Sequence, residues 1–371
     1  QRRLFGSLLD APACFESMET TRVIDADQVR GYHGVTGGSV SDEVPLNMVF
    51  YLAWEPIFTV MSTPELSQGL LRLVHLSNDF ELHSGWPLRA GETLEVSARV
   101  TRVENRTQGR TLETVATLSR DGECCATLTS AFFVRQSFGG EALAVGERTW
   151  KTWNLVAHSE AEKAVLEEQE WLRFESDFHL DIGIPLEVEA DVVTRSERGA
   201  GGQDHHEIHG TIWSNGGAVG SLEGAWSGDR PVNPAVAFLD ALRVEESAEQ
   251  STALRTLKTQ QARTPQSMVP FAQVGLDRNP IHVSPLMARL GEMDDVIVHG
   301  MWTSARAHAF LVDEVLHGRS DRVVGFKGEF LAHAFCGETV EMRALRVGAR
   351  NGQERIELHV DALRDSGKVP L

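Results

Sequence analysis

The 371 residues carry 35 Lys and Arg against 53 Asp and Glu, a formal net charge of −18. This excess of acid excludes a protein that neutralises nucleic-acid phosphates. The apolar share of 42% and charged share of 24% are those of an ordinary globular chain, and no apolar run is long enough to cross a membrane as a helix.

Two or three domains are expected at this length. The first residues, QRRLFGSLLDAPACFESM, hold two arginines but no long apolar core, so no secretory signal is read. They also lack an initiator Met, which suggests a processed chain or a piece of a longer one. The cysteines Cys14, Cys124, Cys125 and Cys336 form no disulfide framework, and reduced thiols in the cytoplasm are expected. Cys124 and Cys125 are adjacent in a strand-like run and should face opposite ways.

Pro45 to Met61 is apolar on nearly every side, the pattern of a buried helix, and Pro56 should kink or end it. Three glycines then open similar stretches: GETLEVSARVTRV at Gly91, GIPLEVEADVVTR at Gly183 and GETVEMRALRVGA at Gly337. Each has apolar residues at alternating positions, and each leads into further strand-like runs around Asp121-Gly122, Asn215-Gly216-Gly217 or Ser366-Gly367. An internal repeat of this kind predicts three copies of one unit. Little chain follows the last turn, which again suggests a fragment. Ser159 to Arg173 reads as a charged connector helix, and Leu242 to Arg263, rich in Glu, Ser, Gln and Thr, as a linker. Arg99, Arg102, Arg106 and Arg110 could form a basic patch for an acidic partner, although a solvated strand face looks the same. Within DHHEIH, His205, Glu207 and His209 share one face of a strand. A strand is too extended to bring three such neighbours onto one ion, so no metal is expected. The GAGG run at 199–202 opens no helix and is not a phosphate loop.

The chemistry concentrates in Phe271 to Thr303, FAQVGLDRNPIHVSPLMARLGEMDDVIVHGMWT. Asp277 and His282 flank a rigid Asn279-Pro280 pair, and His299-Gly300 opens a helical run to Leu316. A carboxylate and an imidazole can move protons, and the first amides of a helix can hold a developing oxyanion. Taken alone, Asp277 and His282 could equally be a turn cap and a structural histidine.

Asp277, Asn279, Pro280, Ile281, His282, His299, Gly300 and Met301 fall in register with the MaoC-like (R)-hydratase/dehydratase signature, which this segment resembles. VHGMWTSA at Val298 to Ala305 is similar to the form in the dehydratase region of fungal-type and actinobacterial type I fatty acid synthases. LLRLVHLSNDFELHSGWPLRAGETLEV resembles the non-catalytic partner unit of those enzymes. The signature has Ser-Gly before the Asp where this chain has Gly275-Leu276, which predicts a narrower, drier pocket or a changed turn ahead of Asp277.

The resemblance implies an α+β hot-dog fold in three units: 1–140 non-catalytic, 141–262 a degenerate middle copy with linker, and 263–371 catalytic. The first and third would pair as a pseudo-dimer. It implies dehydration of (3R)-3-hydroxyacyl thioesters to trans-2-enoyl thioesters, with Asp277, His282 and Gly300 catalytic. Asn279, His299, Met301 and Trp302 would bind substrate. No metal or cofactor is implied. The partners would be an acyl carrier protein or CoA thioester and other synthase domains, in the cytoplasm. A stand-alone enoyl-CoA hydratase and a non-catalytic acyl-binding scaffold are the alternatives.

Overall fold

The computed structural model describes residues 17–371 except 65, 107, 136–144, 197–203, 229–231, 243–249, 291–292 and 351–352. Cys14, the GAGG run at 199–202 and the side chain of Arg106 lie outside the described residues.

Strand β1 (Met18–Val23) leads into α1 (Ala26–Thr36), capped by the Asp25 carboxylate on the Gln28 amide. Helix α2 (Met48–Met61) buries Met48 through Ala53 in unbroken succession, as a helix enclosed on all sides must. It does not end at Pro56. Proline removes the N–H that would reach back to Leu52, and the Arg22 guanidinium donates to that carbonyl instead, at 3.2 Å. Strands β2 (Leu73–Leu82), β3 (Thr93–Arg106), β4 (Gly109–Arg120) and β5 (Glu123–Val134) form an antiparallel sheet in the order β2-β5-β4-β3-β1. Helix α2 packs on its inner face.

The same sheet continues through β6 (Val145–Val156), which pairs with β3 from Arg102 to Asn105 and then with β8. After β6 come α3 (Glu160–Glu167), β7 (Leu172–Phe174), β8 (Pro185–Ser196), β9 (Asp204–Ser214), β10 (Gly217–Gly228) and α4 (Pro234–Leu242). These strands line up as β6-β8-β9-β10-β7 over their own core of Trp153, Val188, Ile208, Ile212 and Leu239. The helix on this core is α4, which follows its strands. Its nine residues are too few for the long, all-round apolar run that marked α2.

The expected linker is corrected over its second half. Residues Gln250–Arg263 form β11, paired with β13 (Thr339–Arg350). Its Thr and Gln content hid the strand, but Leu257 and Ala262 pack against Phe310, Met342 and Ala344. Between these strands run α5 (Val269–Gly275), α6 (Pro285–Leu290), α7 (Gly300–Phe310) and β12 (Gly325–Glu329). Helix α7 passes into a π turn, Leu311–Val315. Strands β14 (Gln353–Arg364) and β15 (Gly367–Pro370) complete a second sheet, β11-β13-β14-β15. β12 instead crosses to pair with β2, Phe326 opposite Phe80, so the C-terminal part supplies a strand to the N-terminal sheet.

A helix held against an antiparallel sheet, seen with α2 and again with α7, is the expected α+β hot-dog arrangement. The three glycines of the sequence repeat share a backbone conformation. Gly91, Gly183 and Gly337, which open the three matching strands, have φ of 88°, 83° and 81°, a region that favours glycine. Of the four arginines weighed as a patch, Arg110 is fully buried, Arg99 lies over the Trp150 ring and Arg102 pairs with Glu104. Cys124 is half-buried and Cys125 buried, on opposite faces of β5. Among the described residues, no helix is long and apolar enough to cross a membrane.

Candidate active site

The loop from α5 to α6 is built by short-range bonds that its own residues dictate. Gly275 lies so close to the Tyr51 ring that a Cβ there would come within 2.9 Å of it. Leu276 then takes φ 60°, the left-handed turn where the MaoC-like pattern carries glycine. Its side chain remains 43% exposed, so it shapes the turn rather than filling the pocket. The Asp277 carboxylate accepts the Asn279 amide at 3.0 Å, and the Asn279 side chain accepts from Ile281. Pro280–His282 follows as a single 3₁₀ turn. Asn279 therefore holds the loop.

These bonds deliver Asp277 and His282 to one spot, joined there by His299. One ligating atom from each of the three lies within 4.8 Å of the others. His282 Nδ1–H donates to the Ile297 carbonyl at 2.9 Å, which leaves Nε2 with its lone pair. His299 Nε2–H donates to the Asp277 carbonyl at 3.1 Å. The two imidazoles stack with centroids 3.8 Å apart and planes 25° apart. Burial lowers the His282 pKa against the opposing pull of the Asp277 carboxylate. Burial, then the neighbouring His282, lower that of His299 to about 4. Both rings are thus neutral at pH 7. Their nearly parallel planes keep their in-plane lone pairs from converging on one point, so the trio suits proton transfer better than an ion.

His299 is also the residue before α7. The first amides of that helix, at Gly300 and Met301, have no acceptor among the described residues. Gly300 faces the Phe330 ring, which a Cβ would approach to 2.9 Å. The three residues His299, Met301 and Trp302, which the resemblance assigns to substrate binding, lie inside the protein. His299, Met301 and Trp302 are 1%, 3% and 4% exposed. Trp302 Nε1 donates to the Val35 carbonyl, and Met301 Sδ receives the Asn78 amide.

Several neighbours were not found from the sequence. Tyr32 and Tyr51, the chain's two tyrosines, pack with Phe271, whose ring in turn meets His299 at 5.2 Å. Burial raises both phenols far above their ordinary value. His75 is clamped between Phe50 and Phe132 and meets Phe330 at 5.0 Å. No local pattern ties these N-terminal residues to the 271–303 segment, though two lone tyrosines in an apolar setting were a signal. In DHHEIH, His206 is buried on Thr194, His205 bonds Ser227, and His209 is exposed.

Residues 246–366 match the family described as MaoC like domain, and residues 22–128 match that described as FAS1-like, dehydratase domain region. The fatty acid synthase subunit beta of Saccharomyces cerevisiae is 27% identical over 354 residues, 90% of this chain and 17% of that one. The subunit beta of Aspergillus oryzae is 26% identical over 342 residues, 89% and 16% of the two chains. This chain thus spans about a sixth of the curated relatives it matches. A MaoC-like dehydratase from Phytophthora capsici superposes with a TM-score of 0.57 at 12% identity, covering 98% of this chain and 95% of that one. HtdX of Mycobacterium tuberculosis does so with 0.53 at 14%, covering 96% of each. At these identities the two structures speak for the fold.

Proposed function

We propose that this chain, which carries a MaoC-like dehydratase domain at 246–366 and a FAS1-like dehydratase region at 22–128, removes water from (3R)-3-hydroxyacyl thioesters to give trans-2-enoyl thioesters. The reading places the reaction in cytoplasmic fatty acid synthesis, on an acyl carrier protein thioester and beside other synthase domains. The observation that carries it is the His282 ring, pinned through Nδ1 and open at Nε2, grouped with the Asp277 carboxylate next to the free amides of α7.

The chemistry follows from these groups. The Gly300 amide donates to the thioester carbonyl and takes up charge as the C2–H bond breaks. His282 Nε2 accepts the C2 proton. The electron pair becomes the C2=C3 double bond as the C3–O bond breaks, and the hydroxyl leaves as water with a proton from the Asp277–His282 pair. Either member can return that proton, because both present an atom to the same spot. Run backwards, the same residues hydrate an enoyl thioester, the reaction of a stand-alone enoyl-CoA hydratase. The scaffold alternative draws no support from Leu276, whose side chain turns outward. In this reading the N-terminal unit (1–140) and the catalytic unit (263–371) form the pseudo-dimer, joined by the β12–β2 pair, with the middle unit (141–262) inserted between them.

The test is hydration of crotonyl-CoA, followed by loss of enoyl absorbance, for the parent and for Asp277→Asn and His282→Ala. Activity lost in both variants supports the reading. A folded parent that is inactive on crotonyl-CoA and on the matching carrier-protein thioester refutes it.

A further inference from the structure

Asn78 on β2 is completely buried, and every polar atom of its amide is engaged. Its Oδ1 accepts from Ser130 Oγ at 2.6 Å and faces His75 Nε2 at 2.9 Å, while its Nδ2 reaches Met301 Sδ at 2.8 Å. This pattern permits only one amide orientation: turned over, Oδ1 would meet the sulfur, which has no proton to offer. The His75 ring between Phe50 and Phe132 cannot swing away, with planes 26° and 22° from its neighbours and centroids 4.8 Å from each. Met301 is the second residue of α7, beside Gly300. Two further bonds tie the same helical turn to the N-terminal unit, Trp302 Nε1 to the Val35 carbonyl at 2.8 Å and Ser304 Oγ to Asn47 Oδ1 at 2.6 Å. The Phe330 ring that bounds Gly300 is held likewise, its amide donating to the Leu76 carbonyl on β2 at 2.8 Å.

We infer that Asn78, fixed by Ser130 and His75, is a positioning residue for the reaction: it sets the first turn of α7 so that the Gly300 amide meets the thioester carbonyl. This rests on the function proposed above. Asn78 touches no reacting atom; it acts through Met301. A helix end displaced by a fraction of an ångström loses donor geometry at the oxyanion while leaving the mouth of the site intact. The cost should therefore fall on kcat rather than KM. Burial holds His75 neutral, with a pKa of about 4, so the donor set on Oδ1 persists through physiological pH.

The experiment compares the parent with Asn78→Asp, Asn78→Leu and Ser130→Ala. It reads crotonyl-CoA kcat and KM, the melting temperature and the absorbance maximum of bound 2,4-hexadienoyl-CoA, which moves to the red when a hydrogen bond polarises its carbonyl. The parent should turn over and show the red shift. Asn78→Asp and Asn78→Leu should lose tenfold or more in kcat at nearly constant KM, and lose the red shift while still binding. Ser130→Ala should fall between. Asn78 variants that keep both kcat and the red shift overturn the inference, as does a loss confined to melting temperature. A folded parent inactive on both crotonyl-CoA and the matching carrier-protein thioester overturns the proposed function instead, and an active parent without the shift removes the Gly300 donor on which the inference depends.

Discussion

His299 donates through Nε2 to the main-chain carbonyl of Asp277 at 3.1 Å. The bond spans 22 residues and ties the start of α7 to the loop that carries the Asp277 carboxylate. Because the same ring stacks on His282, one buried imidazole orders both members of the pair.

Replacing it should show this. His299→Ala leaves the Asp277 carbonyl without its donor, at a cost of about 1–3 kcal/mol in stability. It should lower kcat roughly 10- to 100-fold by loosening the loop. His299→Asn, which can still donate, should recover part of the activity. Steady-state kinetics beside chemical denaturation separates the two effects.

Acid should weaken the fold and the reaction by the same route. Burial holds His75, His299 and His308 at about 4 and lowers His282. In the unfolded chain these rings titrate near 6.5, so on acidification the unfolded state takes up protons first. Their full stability is present above about pH 6.5 and is lost towards pH 4, by about 1.4 kcal/mol per pH unit for each ring at about 4. Denaturation midpoints should fall steeply across that window and be flat from pH 7 to 8. Since His282 must be unprotonated to act as a base, the acidic limb of kcat/KM should lie below pH 6.5.

Leu276 occupies a left-handed conformation with its side chain largely in solvent. Leu276→Gly relieves a backbone penalty of about 1 kcal/mol while giving up little burial. A raised melting temperature with activity retained is expected. A fall in stability would mean that the leucine packs against something in solution.

Gly300→Ala should behave differently, since its new Cβ meets the Phe330 ring at 2.9 Å. Either the ring or the helix start must move. In both cases kcat should drop about tenfold or more, because the amide is displaced from the oxyanion. Gly300→Ala combined with Phe330→Leu should regain part of it.

What the sequence determined by itself was local and periodic. Alternating apolar residues behind Gly91, Gly183 and Gly337 marked three equivalent strands, and the glycines were legible because a left-handed φ is costly for other residues. Asp277, Asn279 and His282 were legible as a group through their register with the MaoC-like signature, and the Asx turn and 3₁₀ turn they form are held by bonds of short range. The same locality misled in part at Pro56, where the missing helical donor predicted a kink or an end and the helix runs on. Only Arg22, distant in sequence, repairs it. It misled again over β11, whose Thr and Gln become strand only against β13. The tertiary structure alone showed what His299, Met301 and Trp302 touch. Their place in the motif suggested contact with substrate; in the fold Trp302 bonds Val35, Met301 bonds Asn78 and His299 bonds the Asp277 carbonyl. It also brought Tyr51 to Phe271, His75 to Phe330 and Asn78 to Met301, across more than 190 residues of chain. No periodicity encodes such meetings. They arise when two units close on one apolar core, and the packing of that core sets which polar groups meet.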